Sequence, residues 1–185
     1  MLKSYPSPGT AWQCRPAIIA AALSAALFTL TIGSVYPAKA DEILAGQATV
    51  IDADTIEIHG QPVRLWGIDA PEGGQLCQLQ GKSWRCGQFC ANALDEHIGQ
   101  QTVTCTGRGR DRYKRLVAVC SVGNEDIAVW LVREGCALDF LRYSKGAYAV
   151  EQGGAAAGKR GMWQGPVEAP WDWRQRKRRK DSAEE

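Results

Sequence analysis

Histidine is almost missing from this chain: His59 and His97 are the only two in 185 residues. No C-x-x-C pair accompanies them, so the sequence argues against a zinc site built from histidine and cysteine. Beyond the first forty residues there is no long apolar run, and no later segment could span a bilayer. Internal repeats are absent. Neither sign of charge is in excess, with 22 Lys+Arg against 20 Asp+Glu. A nucleic-acid binder that works through bulk positive charge is therefore not written here. Any affinity for phosphate has to come from individually placed arginines.

What is present begins with a leader. Lys3 and Arg15 precede an apolar run from about 17 to 35, and Ala38-Lys39-Ala40 has the small-x-small form of a signal-peptidase site. The expectation is cleavage after Ala40 and export to the periplasm or the medium; an uncleaved N-terminal anchor is the alternative. Removing residues 1–40 takes away Lys3, Arg15 and Lys39 and no acid, leaving 19 minus 20, or −1. Cys14 leaves with the leader. Cys77, Cys86, Cys90, Cys105, Cys120 and Cys136 remain, an even number that suits disulfides in an oxidising compartment. Six cysteines allow fifteen pairings, so connectivity waits on a fold.

The remainder is the length of one domain, 41–173, followed by the tail "RQRKRRKDSAEE" at 174–185. The tail carries Arg174, Arg176, Lys177, Arg178, Arg179 and Lys180 and has no apolar anchor, so it is predicted to be disordered. It reads either as a solvated terminus or as an arm that tracks phosphates. Within the domain, "QATVID", "DTIEIH" and "VRLWGI" are strand-like, with "GQP" as a turn. Residues 73–84 show no period and read as a loop. From Arg85, Cys86, Cys90, Leu94 and Ile98 recur every four residues, a helix stopped by Gly99. "QTVTCTG" and "RLVAVCSV" read as an antiparallel pair around "RGRDRYK", and "EDIAVWLVREG" as a second helix. A third is predicted over 145–159, weakened by Gly153, Gly154 and Gly158 at about 1 kcal/mol each. Trp163, Trp171 and Trp173 follow among prolines as a packed strap. The fold class is α+β: a five-stranded OB-type barrel with a helix before the fourth strand and about three helices in all.

The segment "VIDADTIEIHGQPVRLWGIDAPE", 50–72, sets three carboxylates and an arginine around one hairpin. "DADT", then "R-x4-DAPE", then "DRYKR" at 111–115, in that order and at those distances, resemble the staphylococcal nuclease (thermonuclease) family from about Thr49 to Trp163. The resemblance implies an OB-fold, calcium-dependent nuclease. It makes Asp54 and Asp69 calcium ligands, with the main-chain carbonyl of Ala70 as a third and waters completing the shell. It makes Arg64 and Arg115 the groups that hold the scissile phosphate, and Glu72 the residue that orients or deprotonates the attacking water. Arg112 and Tyr113 match positions that contact a terminal phosphate, and Tyr143 an aromatic that packs on the nucleotide.

The chemistry independently wants these residue types. Calcium prefers oxygen donors, and few protein charges give affinities on the order of 10⁻⁴ to 10⁻³ M, as extracellular sites have. Forked guanidiniums and a divalent ion stabilise charge on a phosphoryl transition state. Taken singly, Asp54 or Asp69 could merely close a turn, Arg115 could pair with Asp111, and Tyr113 and Tyr143 could simply pack. Three departures from the family pattern stand out: Ala53, where glycine is frequent; Ala70, where the staphylococcal enzyme has threonine, although a carbonyl ligand survives any side chain; and Lys114, where "DRYGR" has glycine.

On the strand order that the resemblance implies, Cys105 and Cys120 fall on adjacent strands, Cys77–Cys86 would tie the loop beside Glu72 to the first helix, and Cys90 and Cys136 remain. The expectation is an exported monomeric nuclease cutting DNA and RNA with low sequence specificity and leaving 3′-phosphate ends. Two rivals are a catalytically silent OB module that binds single strands, and a nuclease-like protein with an envelope or exopolysaccharide role.

Overall fold

The computed structural model describes residues 42–184; the predicted leader and its cleavage site lie outside them. Five strands form the framework: β1 (Ile43–Asp52), β2 (Thr55–Ile58), β3 (Gln61–Leu65), and, after three short strands and a helix, β7 (Thr102–Arg110) and β8 (Leu116–Val122). β1 pairs antiparallel with β2 and β7, β2 with β3, and β7 with β8. A parallel pairing of β3 with β8 closes the ring. Closure satisfies both edges, and this is the OB-type barrel of the sequence analysis.

Alternation explains why these segments are strands. Along β8, Leu116, Ala118, Cys120 and Val122 are buried while the residues between them are only partly covered. Ile56, Ile58, Val63 and Leu65 line the same interior from β2 and β3. The helix α1 (Cys86–Ile98) adds Cys90, Leu94 and Ile98 to that core. Burying a side chain such as Leu94 contributes about 1.5–3 kcal/mol. Gly99, at φ 53°, ends the helix where it is predicted to end.

Between β3 and α1 lie β4 (Ile68–Asp69) and a small hairpin, β5 (Cys77–Leu79) with β6 (Lys82–Trp84). The hairpin occupies part of the stretch predicted as loop; its turn residues Gln80 and Gly81 both take positive φ. Likewise the β2–β3 turn is His59-Gly60, both at positive φ, one place earlier than "GQP". After β8 come β9 (Glu125–Asp126), α2 (Ile127–Arg133), β10 (Leu138–Asp139), α3 (Leu141–Ser144), α4 (Ala149–Ala157) and a 3-10 turn, Gly161–Gln164. Asp126 caps α2 by accepting from the backbone N–H of Ala128 and Val129. The helix predicted over 145–159 is shorter, because Lys145 (φ 57°) and Gly146 (φ 90°) turn the chain before α4 begins.

The C-terminus corrects the sequence reading. In place of a disordered tail from residue 174, α5 runs over Pro170–Glu184. Proline suits the first helical position, and the arginines, lysines, glutamine and glutamate after it are good helix formers. Lys180 and Glu184 add an i,i+4 pair. Trp171 stacks on Phe140, centroids 5.2 Å apart, and with Trp163 packs over Met162 and Leu138 in a second small core, the predicted strap.

All three expected cysteine pairs lie at bonding distance: Cys77–Cys86, Cys90–Cys136 and Cys105–Cys120, with Cα separations of 5.6, 5.2 and 4.0 Å. Cys105 and Cys120 are direct cross-strand partners in the β7–β8 register. No helix among the described residues is long and apolar enough to cross a membrane.

Candidate active site

Two turns and one hairpin tip converge on one cleft. Asp54 sits in the β1–β2 turn and is almost fully buried; Thr55 Oγ1 donates to its Oδ1 and the Ala70 N–H to its Oδ2 at 3.0 Å. Asp69 ends β4 and has no solvent exposure. Arg64, near the end of β3, joins them: its guanidinium pairs with Asp54 and reaches Asp69 Oδ1 at 2.8 Å and the Ile68 carbonyl at 3.2 Å. Burial pushes the Arg64 guanidinium below its ordinary range, opposed by the Asp69 charge. Removing one partner of such a pair leaves an uncompensated buried charge, at a cost of about 3–5 kcal/mol.

Arg115 immediately precedes β8 at the hairpin tip, and the tip is organised by Asp111. The Asp111 carboxylate accepts from the backbone N–H of Tyr113 and Arg115 and from Arg115 Nε at 2.7 Å. Burial works against the charged carboxylate, but these hydrogen bonds prevail and hold its pKa below the usual range. The pairing of Arg115 with Asp111 weighed from the sequence is real. It also aims the guanidinium, whose Nη1 lies 3.3 Å from Thr55 Oγ1.

Glu72 follows the Pro71 turn. Its N–H faces Gln75 Oε1 at 3.4 Å, and Gln75, fully buried, donates to the Glu168 carbonyl at 2.9 Å. Beside it, Asp52 is raised above the usual carboxylate range, first by burial and then by the charge of Glu72, while Arg64 and Arg115 oppose the shift. The carboxylates and the two arginines thus share one electrostatic neighbourhood.

Asp54, Arg64, Glu72, Arg112, Tyr113, Arg115 and Tyr143 all line a cleft of about 800 Å³, with Asp69 and Ala70 buried beside it. Tyr113 and Tyr143 are 64% and 56% exposed, so neither is a core aromatic. Arg112 and Arg115 flank the Tyr113 ring at 4.8 and 5.6 Å. Sequence reasoning missed Asp52, Arg110 and Arg142 on the cleft wall, and left Arg174 and Arg178 in a tail. Arg174 lies within the site, donating to Asp69 and Glu72. The only signal for it was a basic run just beyond the tryptophan strap.

Of these departures, Ala53 and Ala70 are not at positive φ, whereas Lys114 is, at 65°. Among the described residues no group of three or more His, Cys, Asp or Glu side chains converges as a metal cluster. The oxygen donors of Asp54 and Asp69 nonetheless fit a hard cation held by two carboxylates, with carbonyl and water oxygens making up the shell.

A closed five-stranded barrel carrying buried acids and paired arginines at one cleft defines a nuclease-like OB-fold protein. The family model "Staphylococcal nuclease homologue" matches residues 62–165, and the chain belongs to that family. It is 41% identical over 150 residues to the succinoglycan biosynthesis protein ExoI of Rhizobium meliloti, covering 76% of this chain and 78% of that protein. It is 33% identical over 119 residues to an uncharacterized endonuclease of Haemophilus influenzae, 63% of this chain and 61% of that one. A probable staphylococcal-like nuclease, CAN4, of Oryza sativa is 32% identical over 119 residues, which make up 63% of this chain and 22% of the rice protein. The family is in general calcium-dependent.

Proposed function

We propose that this protein is an exported, calcium-dependent nuclease that hydrolyses phosphodiester bonds of DNA and RNA with little sequence preference. The observation that carries the reading is the convergence of Arg64, Arg115 and Glu72 on the cleft floored by Asp54. Two forked guanidiniums facing one cleft suit a single phosphate, since each presents parallel N–H donors to two oxygens. Glu72, partly exposed at the cleft, is the group to orient and deprotonate water, which attacks phosphorus. The bond to the 5′ oxygen then breaks, leaving a 3′-phosphate.

Asp54, Asp69 and the Ala70 carbonyl would hold calcium, which when bound supplies Lewis-acid stabilisation of the phosphate charge. Arg112, Tyr113 and Tyr143 extend the contact to neighbouring phosphate and base, which accounts for tolerance of sequence. Three cysteine pairs support an oxidising compartment and hence export. A silent single-strand binder has no use for a water-activating carboxylate beside two phosphate arginines.

A second reading rests on one observation, the extensive similarity to a protein named for succinoglycan biosynthesis. It places the same chemistry in envelope or exopolysaccharide biology. Plasmid DNA and single-stranded RNA incubated with the mature protein, with calcium or with excess chelator, test the first reading. Cleavage with calcium that is lost with chelator and in Glu72→Gln is expected. Full activity in chelator overturns the calcium assignment, and no cleavage under any condition overturns the nuclease reading.

A further inference from the structure

The site holds a third arginine. Arg174, in α5, sets Nη2 2.6 Å from Asp69 Oδ2 and Nη1 3.1 Å from Asp69 Oδ1. The same Nη1 lies 2.7 Å from Glu72 Oε1. Asp69 Oδ1 also receives Arg64, so both oxygens of a carboxylate with no solvent exposure are engaged by guanidinium N–H groups. Burial works against the Arg174 charge, but the bonds and charges of Asp69 and Glu72 prevail and lift it above the ordinary arginine range.

We propose that Arg174 and a divalent cation are alternative partners of Asp69, so that the C-terminal helix closes the cation site until an ion takes its place. The inference rests on the calcium-dependent reading above. Its argument is stereochemical and electrostatic. A hard cation needs an Asp69 oxygen at about 2.3–2.6 Å, and that ground is taken on both oxygens. A guanidinium left in place would face the ion across a single carboxylate, with strong like-charge repulsion in a buried setting.

The remainder of α5 gives way readily. Among the described residues beyond Trp173 only Arg174 is partly covered, and residues 175–184 are exposed. The pair of Arg176 with Glu168 is exposed too, and such pairs contribute little. Pro170 and the Trp171–Phe140 stack hold the start of the helix, leaving Arg174 as the clasp for residues 175–184. Arg178, one turn further on, lines the same cleft, so releasing Arg174 also frees the cleft wall.

Calorimetric titration of calcium into the mature protein, Arg174→Ala and Arg176→Ala tests the exchange. Losing three charge-assisted bonds that the ion must otherwise break makes Arg174→Ala bind calcium about tenfold tighter or more. Arg176→Ala binds as the wild type does. Equal or weaker affinity in Arg174→Ala overturns the proposal while leaving the calcium reading intact. Absence of calcium binding in every variant overturns both. The wild-type chain supplies a second readout that needs no substitution: trypsin cleaves within residues 174–180 faster in saturating calcium than in chelator. An identical cleavage rate in the two conditions overturns the proposal.

Discussion

Gly87 lies so close beneath Glu72 that a Cβ added to it would come within 1.8 Å of the Glu72 carbonyl oxygen. The first turn of α1 is therefore the seat on which the loop carrying the proposed base rests. Gly87→Ala must push backbone away, since no flexible side chain is there to yield. The expected outcome is a folded protein with turnover lowered by about tenfold or more, as misplacing a positioned group costs. Single-turnover cleavage beside a thermal melt checks this. Wild-type turnover would show that the loop shifts without consequence.

Asp111 makes stability pH-dependent. Its folded-state pKa lies below the ordinary aspartate value of 3.8. Its contribution is thus present above that value and lost as pH falls through the lower, folded one. Asp111→Ala should cost about 1–3 kcal/mol at neutral pH, the usual worth of hydrogen bonds to a charged group. The cost should shrink as pH falls below about 3.8. Urea unfolding of both proteins at neutral and low pH measures the difference. Turnover should fall as well, because the same carboxylate aims Arg115.

Lys114 occupies a left-handed conformation at φ 65° at the hairpin tip. Among the described residues its side chain makes no hydrogen bond or ion pair; its N–H bonds the Asp111 carbonyl, and its carbonyl accepts from Arg110. Glycine there relieves a penalty of roughly 1–2 kcal/mol, partly offset by about 0.4–1 kcal/mol of unfolded-chain entropy. Lys114→Gly should raise the melting temperature by a few degrees at most, and Lys114→Val should lower it. Scanning calorimetry on both variants decides the sign.

Arg64→Lys tests the forked geometry. Lysine keeps the positive charge between Asp54 and Asp69 but cannot serve both carboxylates and a phosphate through a rigid plane. Turnover is expected to drop by about a hundredfold or more, with stability changing far less than the cost of removing the charge altogether. Matched kinetics and denaturant curves for Arg64→Lys and Arg64→Leu separate the two effects.

Much of the barrel was legible because its signals are local. Alternation along β8 and the four-residue recurrence of Cys86, Cys90, Leu94 and Ile98 each follow from the geometry of a single element. The motif residues were legible too: Asp54, Arg64, Asp69 and Glu72 lie within one short stretch, and a single hairpin with its following turn brings them together. Cys105 and Cys120 could be paired on the strand order that the family resemblance implies, and the β7–β8 register sets them directly opposite each other.

Tertiary structure alone decided the rest. Arg174 is 105 residues from Asp69, and nothing in "RQRKRRKDSAEE" distinguishes it from its basic neighbours. What singles it out is the tryptophan strap, which docks Trp171 on Phe140 and so delivers the next turn of helix to a buried carboxylate. A charge run without apolar residues looks unanchored in sequence because its anchor is an ion pair. The strength of that pair depends on burial supplied by β4 and the barrel.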